Sequence, residues 1–348
     1  MPLLPGGTGV RRQRGVALLM ALWALALVAA LLPVLLAEGR AELQRARLLE
    51  HETLARALAT GAEQVVTQGL VQAGARQRPE FWRSLSGEVL AYEVEGAQVR
   101  AQLRDLHGCF NVNALAGPER DLALRQLKRL LAQRPGGLGE PGLTAEGFAE
   151  RLADWVDADG ETREFGLETP DALRLAPPVL VPNLPLAEIG ELDLIVPARP
   201  GRHLHLRELC ALPETSGWRL NANALGMSHL PLLEALFLGE VPRETLQLLI
   251  TARPAQGYAT VEALGQALPG VGEETFSLLT QRLILNSGDF LLGVEVRRDG
   301  QVFRQVRQLA AQGVSRWHAA VPAQRVRWLA TRDTTLWVPG PGGAEVLQ

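Results

Sequence analysis

The 348-residue sequence predicts an α+β protein in which a long N-terminal helix packs on a small antiparallel sheet, with a large all-α domain inserted. Three observations predict this architecture. An uncharged run continues into an amphipathic stretch, alternating apolar patterns occur near both ends, and the long segment between them has helical spacing. Because strands come before and after the helical block, we predict that the block interrupts one sheet. The predicted segments are a basic leader at 1–15, a membrane-spanning part at 16–37, a helical stalk with the first strands at 38–114, the inserted helical domain at 115–285, and the remaining strands with a C-terminal tail at 286–348.

The N-terminal run Val16–Ala37 contains no charged side chain. As a helix it would be about 33 Å long, which is enough to cross a bilayer core of about 30 Å. Arg11, Arg12 and Arg14 precede the run, so the positive-inside rule places the leader in the cytoplasm and the rest of the chain across the membrane. A cleaved signal peptide would have a shorter apolar region, whereas this run continues without a turn signal into the helical stretch Glu38–Leu70. We therefore predict a single-pass anchor.

Two predicted hairpins flank the helical block. The first joins its strands at Glu95-Gly96, and the second joins its strands at Asp299-Gly300, a strong hairpin signal. The predicted strands are Glu88–Glu95, Ala97–Asp105, Ser287–Arg298 and Gln301–Leu309, with a further strand at Arg325–Thr331.

The block between the hairpins has apolar residues at helical spacing, which excludes a nucleotide-binding sheet of alternating strands and helices. Asn111 and Asn113 precede it in a loop, where asparagine side chains commonly close local turns. The predicted helices are Glu119–Gln133, Thr144–Asp157, Leu204–Leu212, Leu230–Leu238, Arg243–Ala252, Thr260–Ala267 and Glu273–Leu285.

A loop at residues 157–168, here called the acidic loop, follows the second of these helices. Between positions 140 and 193, thirteen acidic residues stand against three arginines, a net charge near −10, although the whole chain carries only −3. Asp157, Asp159 and Glu161 alternate in the loop and offer hard oxygen donors, to which Glu168 could add another. The glycine spacing differs from that of an EF-hand, and a solvated acidic loop at a helix end is the alternative. We predict a calcium site here.

The two cysteines, Cys109 and Cys210, could form a disulfide in an oxidising compartment or remain as two buried thiols, and the sequence leaves both open. His203 and His205 alternate, but two imidazoles alone do not complete a zinc site, and we do not predict one. The sequence shows no assembled nucleophile and base and no phosphate-binding loop. We therefore predict that the protein is not an enzyme.

A glycine turn at 268–272 lies between two predicted helices and is typical of a helix-hairpin-helix motif, which binds DNA phosphates through backbone N–H groups. DNA affinity requires nearby cations, and residues 243–285 carry more glutamates than arginines close to the turn. A packing turn is favoured, and a membrane-anchored DNA-uptake module remains the alternative function.

Several separated motifs together resemble the K minor pseudopilins of type II secretion systems. Gly15, between the basic leader and the apolar run, resembles a prepilin peptidase site. Met20 stands where most pilins have glutamate, and the K proteins usually lack that glutamate too. The other matching segments are Gly108–Leu115, Ala153–Asp159, Gly166–Glu168, Pro182-Asn183, Glu191-Leu192, Leu212-Pro213, Leu220–Asn223 and Asn286–Phe290.

The resemblance implies a pilin-like fold and a role at the tip of a periplasmic pseudopilus, in complex with the I and J minor pseudopilins above the major pseudopilin. It implies cleavage between Gly15 and Val16 by the prepilin peptidase, and an inner-membrane anchor with the bulk of the chain in the periplasm. It also places Asp157, Asp159 and Glu168 in the family's calcium-binding region, from which this chain departs at Thr169. Glutamate in place of Met20 would pair with a neighbouring subunit's N-terminus, so its absence suits a cap. An anchored periplasmic adaptor that is never cleaved is a further alternative.

Overall fold

The structure is a computed structural model that describes residues 13–71, 86–134, 138, 142–176, 178–195, 206, 208–312 and 325–332. It divides into two compact units, residues 1–57 and 58–348, and helix α1 contributes to both. The helices are α1 (Gln13–Val71), α2 (Arg120–Ala132), α3 (Ala145–Val156), α4 (Thr169–Ala172), α5 (Leu192–Ile195), α6 (Leu230–Leu236), α7 (Arg243–Thr251), α8 (Val261–Ala267) and α9 (Glu273–Arg282). The strands are β1 (Ser86–Val94), β2 (Ala97–Asp105), β3 (Phe110–Asn111), β4 (Leu209–Cys210), β5 (Leu220–Asn221), β6 (Leu283–Ile284), β7 (Asp289–Arg298), β8 (Gln301–Gln312) and β9 (Arg325–Arg332).

Helix α1 is continuous for 59 residues, so the apolar run and the amphipathic stretch form one element, as the sequence predicts. The described apolar side chains between 16 and 32 are exposed. Within the described residues, α1 is the one helix long and apolar enough to cross a membrane.

The main sheet has five strands in the order β1-β2-β7-β8-β9, and every neighbouring pair is antiparallel. Both predicted hairpins are present. Each turns through two residues with positive φ, Glu95-Gly96 and Asp299-Gly300, which matches the right-handed twist of the flanking strands. Strands β2 and β7 are neighbours in the sheet although the helical region separates them in sequence, so the helical region is inserted between two paired strands.

One face of the sheet is apolar because alternate residues of β2 and β7 point to the same side. Facing pairs such as Val99 with Val296 and Ala101 with Val294 are buried. The C-terminal part of α1 is tied to strand β8 by an ion pair between Glu63 and Arg307 at 2.9 Å.

An apolar core that includes Trp218, Phe148 and Phe110 runs through the inserted region. The region contains two short parallel strand pairs, β3 with β4 and β5 with β6, which the helical pattern does not predict. The predicted helix Leu204–Leu212 is wrong over its described part, because Leu209-Cys210 pairs with Phe110-Asn111 as a strand. The predicted helix Glu273–Leu285 ends at Arg282, since Leu283 and Ile284 pair with Leu220 and Asn221. In both cases tertiary pairing overrides local helical preference.

Cys109 and Cys210 form a disulfide, with 5.9 Å between their Cα atoms. The bond lies beside the β3–β4 pairing and connects the entry of the inserted region to its middle. Trp218 covers this junction, because its Nε1 donates to the carbonyl of Cys109 at 2.9 Å and its ring packs edge-on against Phe110.

Candidate functional site

The acidic loop begins where helix α3 ends, and a buried aspartate holds its path. Asp154 is fully buried, and its Oδ2 accepts hydrogen bonds from the backbone N–H groups of Arg163 at 3.3 Å and Leu167 at 2.9 Å. Gly166 lies so close that a Cβ atom there would be 1.8 Å from Asp154 Oδ2. Asp154 therefore wraps the loop back over the helix end, and the glycine makes the close approach possible.

Arg163 bridges two of the carboxylates. Its Nη1 contacts Asp154 Oδ1 and lies 2.7 Å from Asp157 Oδ2. Burial raises the pKa of the Asp157 carboxyl, and Arg163 opposes that shift by stabilising the charged form. The loop thus carries its own cation against its buried aspartates.

Glu168 closes the loop and is 2% exposed. Its Oε2 accepts from the backbone N–H of Thr169 at 3.3 Å at the start of α4, but its Oε1 is buried without a hydrogen-bond partner. Burial raises the pKa of the Glu168 carboxyl. Hydrogen bonding with the Thr169 backbone and the Asn183 side chain opposes that shift, and the negative charges of Asp154 and Asp157 add to it. These three carboxylates are therefore close enough to interact electrostatically.

Asn183 joins the site from a distant segment. Its side-chain N–H₂ donates to the Asp159 carbonyl, while its Oδ1 is buried without a partner, as is Asp157 Oδ1. Asn183 adopts φ +50°, a left-handed conformation that asparagine tolerates better than most residues. The sequence pattern does not mark Asn183 as a metal ligand. Pro182-Asn183 is only one of the segments that resemble the K minor pseudopilins.

The other two predicted ligands point elsewhere. Asp159 Oδ2 pairs with Arg120 Nη1 at 3.1 Å, and its Oδ1 accepts from the backbone N–H of Glu161. Glu161 is exposed. Of the four predicted side chains, Asp157 and Glu168 are buried near one another, and Asp159 and Glu161 are not part of that group.

The buried oxygens fit a hard cation in their chemistry. Within the described ranges, no three histidine, cysteine, aspartate or glutamate side chains are arranged to hold one metal ion. Three buried oxygens with neither a hydrogen bond nor an ion pair nevertheless lie in this region: Asp157 Oδ1, Glu168 Oε1 and Asn183 Oδ1. Oxygen atoms of carboxylates and amides are the ligands that calcium prefers, and backbone carbonyls or water complete its shell.

The predicted glycine turn is present between α8 and α9, with Gly270 at φ +83°. The first turn of α9 carries Glu273 and Glu274. Two carboxylates at the helix N-terminus occupy the electropositive end that a phosphate would use. The arrangement therefore disfavours DNA binding.

The predicted processing site, Gly15 and Val16, lies within α1, whereas residues 1–12 of the leader are outside the described residues. His203 and His205 also fall outside the described residues.

A family model described as type II secretion system (T2SS), protein K, matches residues 108–214, and a second of the same description matches residues 220–283. The type II secretion system protein K of Pectobacterium carotovorum is 32% identical over 84% of this chain and 91% of its own length. The chain belongs to the type II secretion system protein K family. The protein K of Dickeya chrysanthemi is 26% identical over 85% of this chain and 92% of its own length, and the putative protein K of Escherichia coli K12 is 32% identical over 72% and 78%.

A solved structure of a protein K also matches the fold. It belongs to the GspK-GspI-GspJ complex from the enterotoxigenic Escherichia coli type 2 secretion system, with a TM-score of 0.62 and 26% identity over 83% of this chain and 99% of that chain. The predicted α+β, pilin-like fold is confirmed. The chain is therefore a minor pseudopilin of a type II secretion system, and the family models cover both the acidic loop and the glycine turn.

Proposed function

We propose that this protein caps the tip of the periplasmic pseudopilus of a type II secretion system and helps to initiate its assembly for protein export. Its partners are the I and J minor pseudopilins at the tip and the major pseudopilin below. The observation that carries the proposal is the likeness to a protein K solved in complex with GspI and GspJ, which extends over 99% of that chain.

The placement of the inserted region supports a capping role. The region is anchored at one end of the sheet, where Asn221 Nδ2 donates to the buried Asp105 Oδ2 at 2.7 Å and His107 Nδ1 contacts Ser287 Oγ at 3.0 Å. A large body fixed to one end of the sheet would obstruct a further subunit on that side. Met20 supports the same role, because a cap needs no acidic side chain to pair with a subunit added above it.

The anchor and the disulfide support an inner-membrane protein with its body in the periplasm. Helix α1 supplies one apolar segment that can cross the membrane, and the Cys109–Cys210 bond suits an oxidising compartment. Because the family is a structural component of a secretion machine, we expect no catalytic activity.

The first test is the intact mass of the full chain extracted from membranes, with and without the prepilin peptidase. We expect a peptidase-dependent loss of residues 1–15, leaving Val16 as the new N-terminus, and no loss in a Gly15→Leu variant. An uncut chain, or one cut after Ala37, would favour the anchored adaptor over a pseudopilin.

The second test is assembly. The full chain, co-expressed with the I and J minor pseudopilins and solubilised in detergent, should co-purify with both. If the chain co-purified with neither the I nor the J minor pseudopilin, the tip proposal would be contradicted, even if the chain is cleaved after Gly15. A gel shift of duplex DNA by the same preparation would instead support the DNA-uptake alternative.

We further propose that the acidic loop binds calcium. Asp157 and Glu168 would supply carboxylate oxygens and Asn183 an amide oxygen, while Asp154 holds the loop in place. Bound calcium would neutralise carboxylates that are otherwise buried with unpartnered oxygens. Isothermal titration of the chelator-treated full chain should show calcium binding that is selective over magnesium and weakened in Glu168→Gln. Absence of calcium binding would overturn this proposal without affecting the pseudopilin assignment.

A further inference from the structure

The acidic loop and the end of helix α3 together hold more buried negative charge than Arg163 can neutralise. Asp154, Asp157 and Glu168 are each 2% exposed or less, and Arg163 is the cation seen to pair with two of them. If all three acids are ionised, the group carries three negative charges against one positive charge. The remaining two negative charges equal the charge that one divalent cation would neutralise.

The three carboxylates are not equally satisfied. Asp154 accepts two backbone hydrogen bonds and a contact from Arg163. Asp157 has Arg163 on Oδ2 but no partner on Oδ1, and Glu168 has no partner on Oε1. An ionised, buried oxygen without a partner is costly, so the deficit is concentrated on Asp157 and Glu168.

Arg163 therefore occupies one side of the carboxylate that a metal ion would also use. A divalent ion that took both oxygens of Asp157 would have to displace the guanidinium from Oδ2, or bind beside it against like-charge repulsion. The Arg163 side chain is 21% exposed, so it reaches the surface of the loop and has solvent to move into.

We propose that Arg163 is a built-in counter-ion that competes with a divalent cation for Asp157, keeping the loop folded without metal and lowering the affinity of the site. This inference rests on the calcium site proposed above. It assigns Arg163 a positioning and affinity-setting role that the acidic residues alone do not indicate. Without metal, Arg163 pairs with both Asp154 and Asp157, and with metal it leaves Asp157 and stays paired with Asp154.

The test compares calcium affinity and thermal unfolding of the full chain in detergent for wild type and Arg163→Gln. Removing the competing charge should tighten calcium binding by about tenfold or more, because the guanidinium would no longer hold Asp157 Oδ2 or repel a cation bound at Asp157. The same variant should unfold at a lower temperature than wild type in chelator, and calcium should restore most of the difference.

Arg174→Gln is the matched control. Arg174 lies nearby in sequence and pairs with Asp171 at 2.6 Å, but its side chain is 77% exposed and it contacts none of the buried carboxylates among its described contacts. This variant should bind calcium as wild type does and unfold at the same temperature. Arg163→Lys keeps the charge without the planar fork, so its affinity should lie between those of wild type and Arg163→Gln.

The outcomes separate the inference from the site it rests on. Calcium binding by wild type with equal affinity in Arg163→Gln would overturn the role of Arg163 and leave the calcium site standing. Binding detected only in Arg163→Gln, or folding of that variant only in calcium, would support the competition. Binding by neither protein would overturn both the calcium site and the inference, and the mass test at Gly15 would still decide the pseudopilin assignment independently. If Arg163→Gln does not fold in either condition, equal affinity in Arg163→Lys and wild type would overturn the inference.

Discussion

Asn113 and Asn223 make matching sets of hydrogen bonds in two separate parts of the inserted region. Asn113 Nδ2 donates to the carbonyls of Leu186 and Leu212, and its Oδ1 accepts from the Leu186 N–H. Asn223 Nδ2 donates to the carbonyls of Tyr258 and Leu285, and its Oδ1 accepts from the Tyr258 N–H. Both side chains are 1% exposed or less. Each asparagine therefore fastens two distant loops to the strand it follows.

The match extends to the local sequence. Asn111-Val-Asn-Ala-Leu115 and Asn221-Ala-Asn-Ala-Leu225 each begin at the end of a short strand that has a parallel partner. In both, the first asparagine Oδ1 accepts from the N–H of the second, at 3.2 Å and 3.1 Å. The inserted region thus contains two copies of one buried hydrogen-bonding motif. In a region of short helices, these motifs hold the connecting loops in place.

Replacing Asn113 with alanine should destabilise the protein by about 3 kcal/mol or more, since it leaves a buried N–H and two carbonyls without partners. Asn223→Ala should cost a similar amount. Urea unfolding of the full chain in detergent measures both. Gln281→Ala is the control, because its side chain contacts Ser277 on the exposed face of α9. Equal midpoints for Asn113→Ala and Gln281→Ala would contradict the structural role.

The disulfide should stabilise the fold against reduction. Cys109 and Cys210 are 101 residues apart in sequence, and the chain-entropy model gives about 4.7 kcal/mol for closing a loop of about this length, with measured values more often near 2–4 kcal/mol. We expect dithiothreitol to lower the unfolding temperature of wild type. The Cys109→Ser, Cys210→Ser double variant should unfold at the lower temperature with or without reductant. A reductant effect of equal size in the double variant would show that the bond is not its cause.

Gly117 lies at a point where the backbone of the inserted region approaches itself. A Cβ atom there would lie 1.7 Å from the carbonyl oxygen of Thr215. We expect Gly117→Ala to destabilise the protein by at least about 2 kcal/mol, because backbone must move to relieve the overlap. Gly69→Ala is the control, since a Cβ at that helical position meets nothing within 4 Å and alanine is the better helix former. Thermal unfolding of both variants should show a large loss for the first and none for the second.

Much of the fold could be predicted from local sequence. The uncharged run and the amphipathic stretch after it predict α1. The turn residues Glu95-Gly96 and Asp299-Gly300 predict the two hairpins. All of these signals come from residues close together in the chain. The short strand Leu209-Cys210 could not be predicted locally, since its pairing with Phe110 depends on contacts across about 100 residues.

The candidate site divides in the same way. Asp157 and Glu168 could be selected because they are acidic residues in a dense acidic stretch. Asn183 could not be selected, because it is an ordinary polar residue outside the acidic loop. Arg163 could not be selected either, because its positive charge is wrong for a metal ligand. Their roles come from the path that Asp154 imposes on the loop. The sequence also gives Asp159 and Glu161 the same standing as Asp157, although only Asp157 is buried.

His229 should make the protein sensitive to mild acid. Burial, with the nearby positive charge of Arg104, lowers the pKa of His229 to about 4, and its Nδ1 accepts from the Gly226 N–H at 2.9 Å, a bond that protonation at Nδ1 would break. In the unfolded chain the histidine pKa is about 6.5, so the unfolded state binds the proton first and the free energy of unfolding falls as pH drops from about 6.5 to about 4. We expect a contribution of about 1–3 kcal/mol to this loss, and none above about pH 7. The substitution His229→Asn keeps an acceptor near the Nδ1 position and removes the titrating group. Urea unfolding at about pH 7.5 and about pH 4.5 should therefore show a smaller acid loss in the variant than in wild type, and equal losses would place the acid sensitivity on other groups.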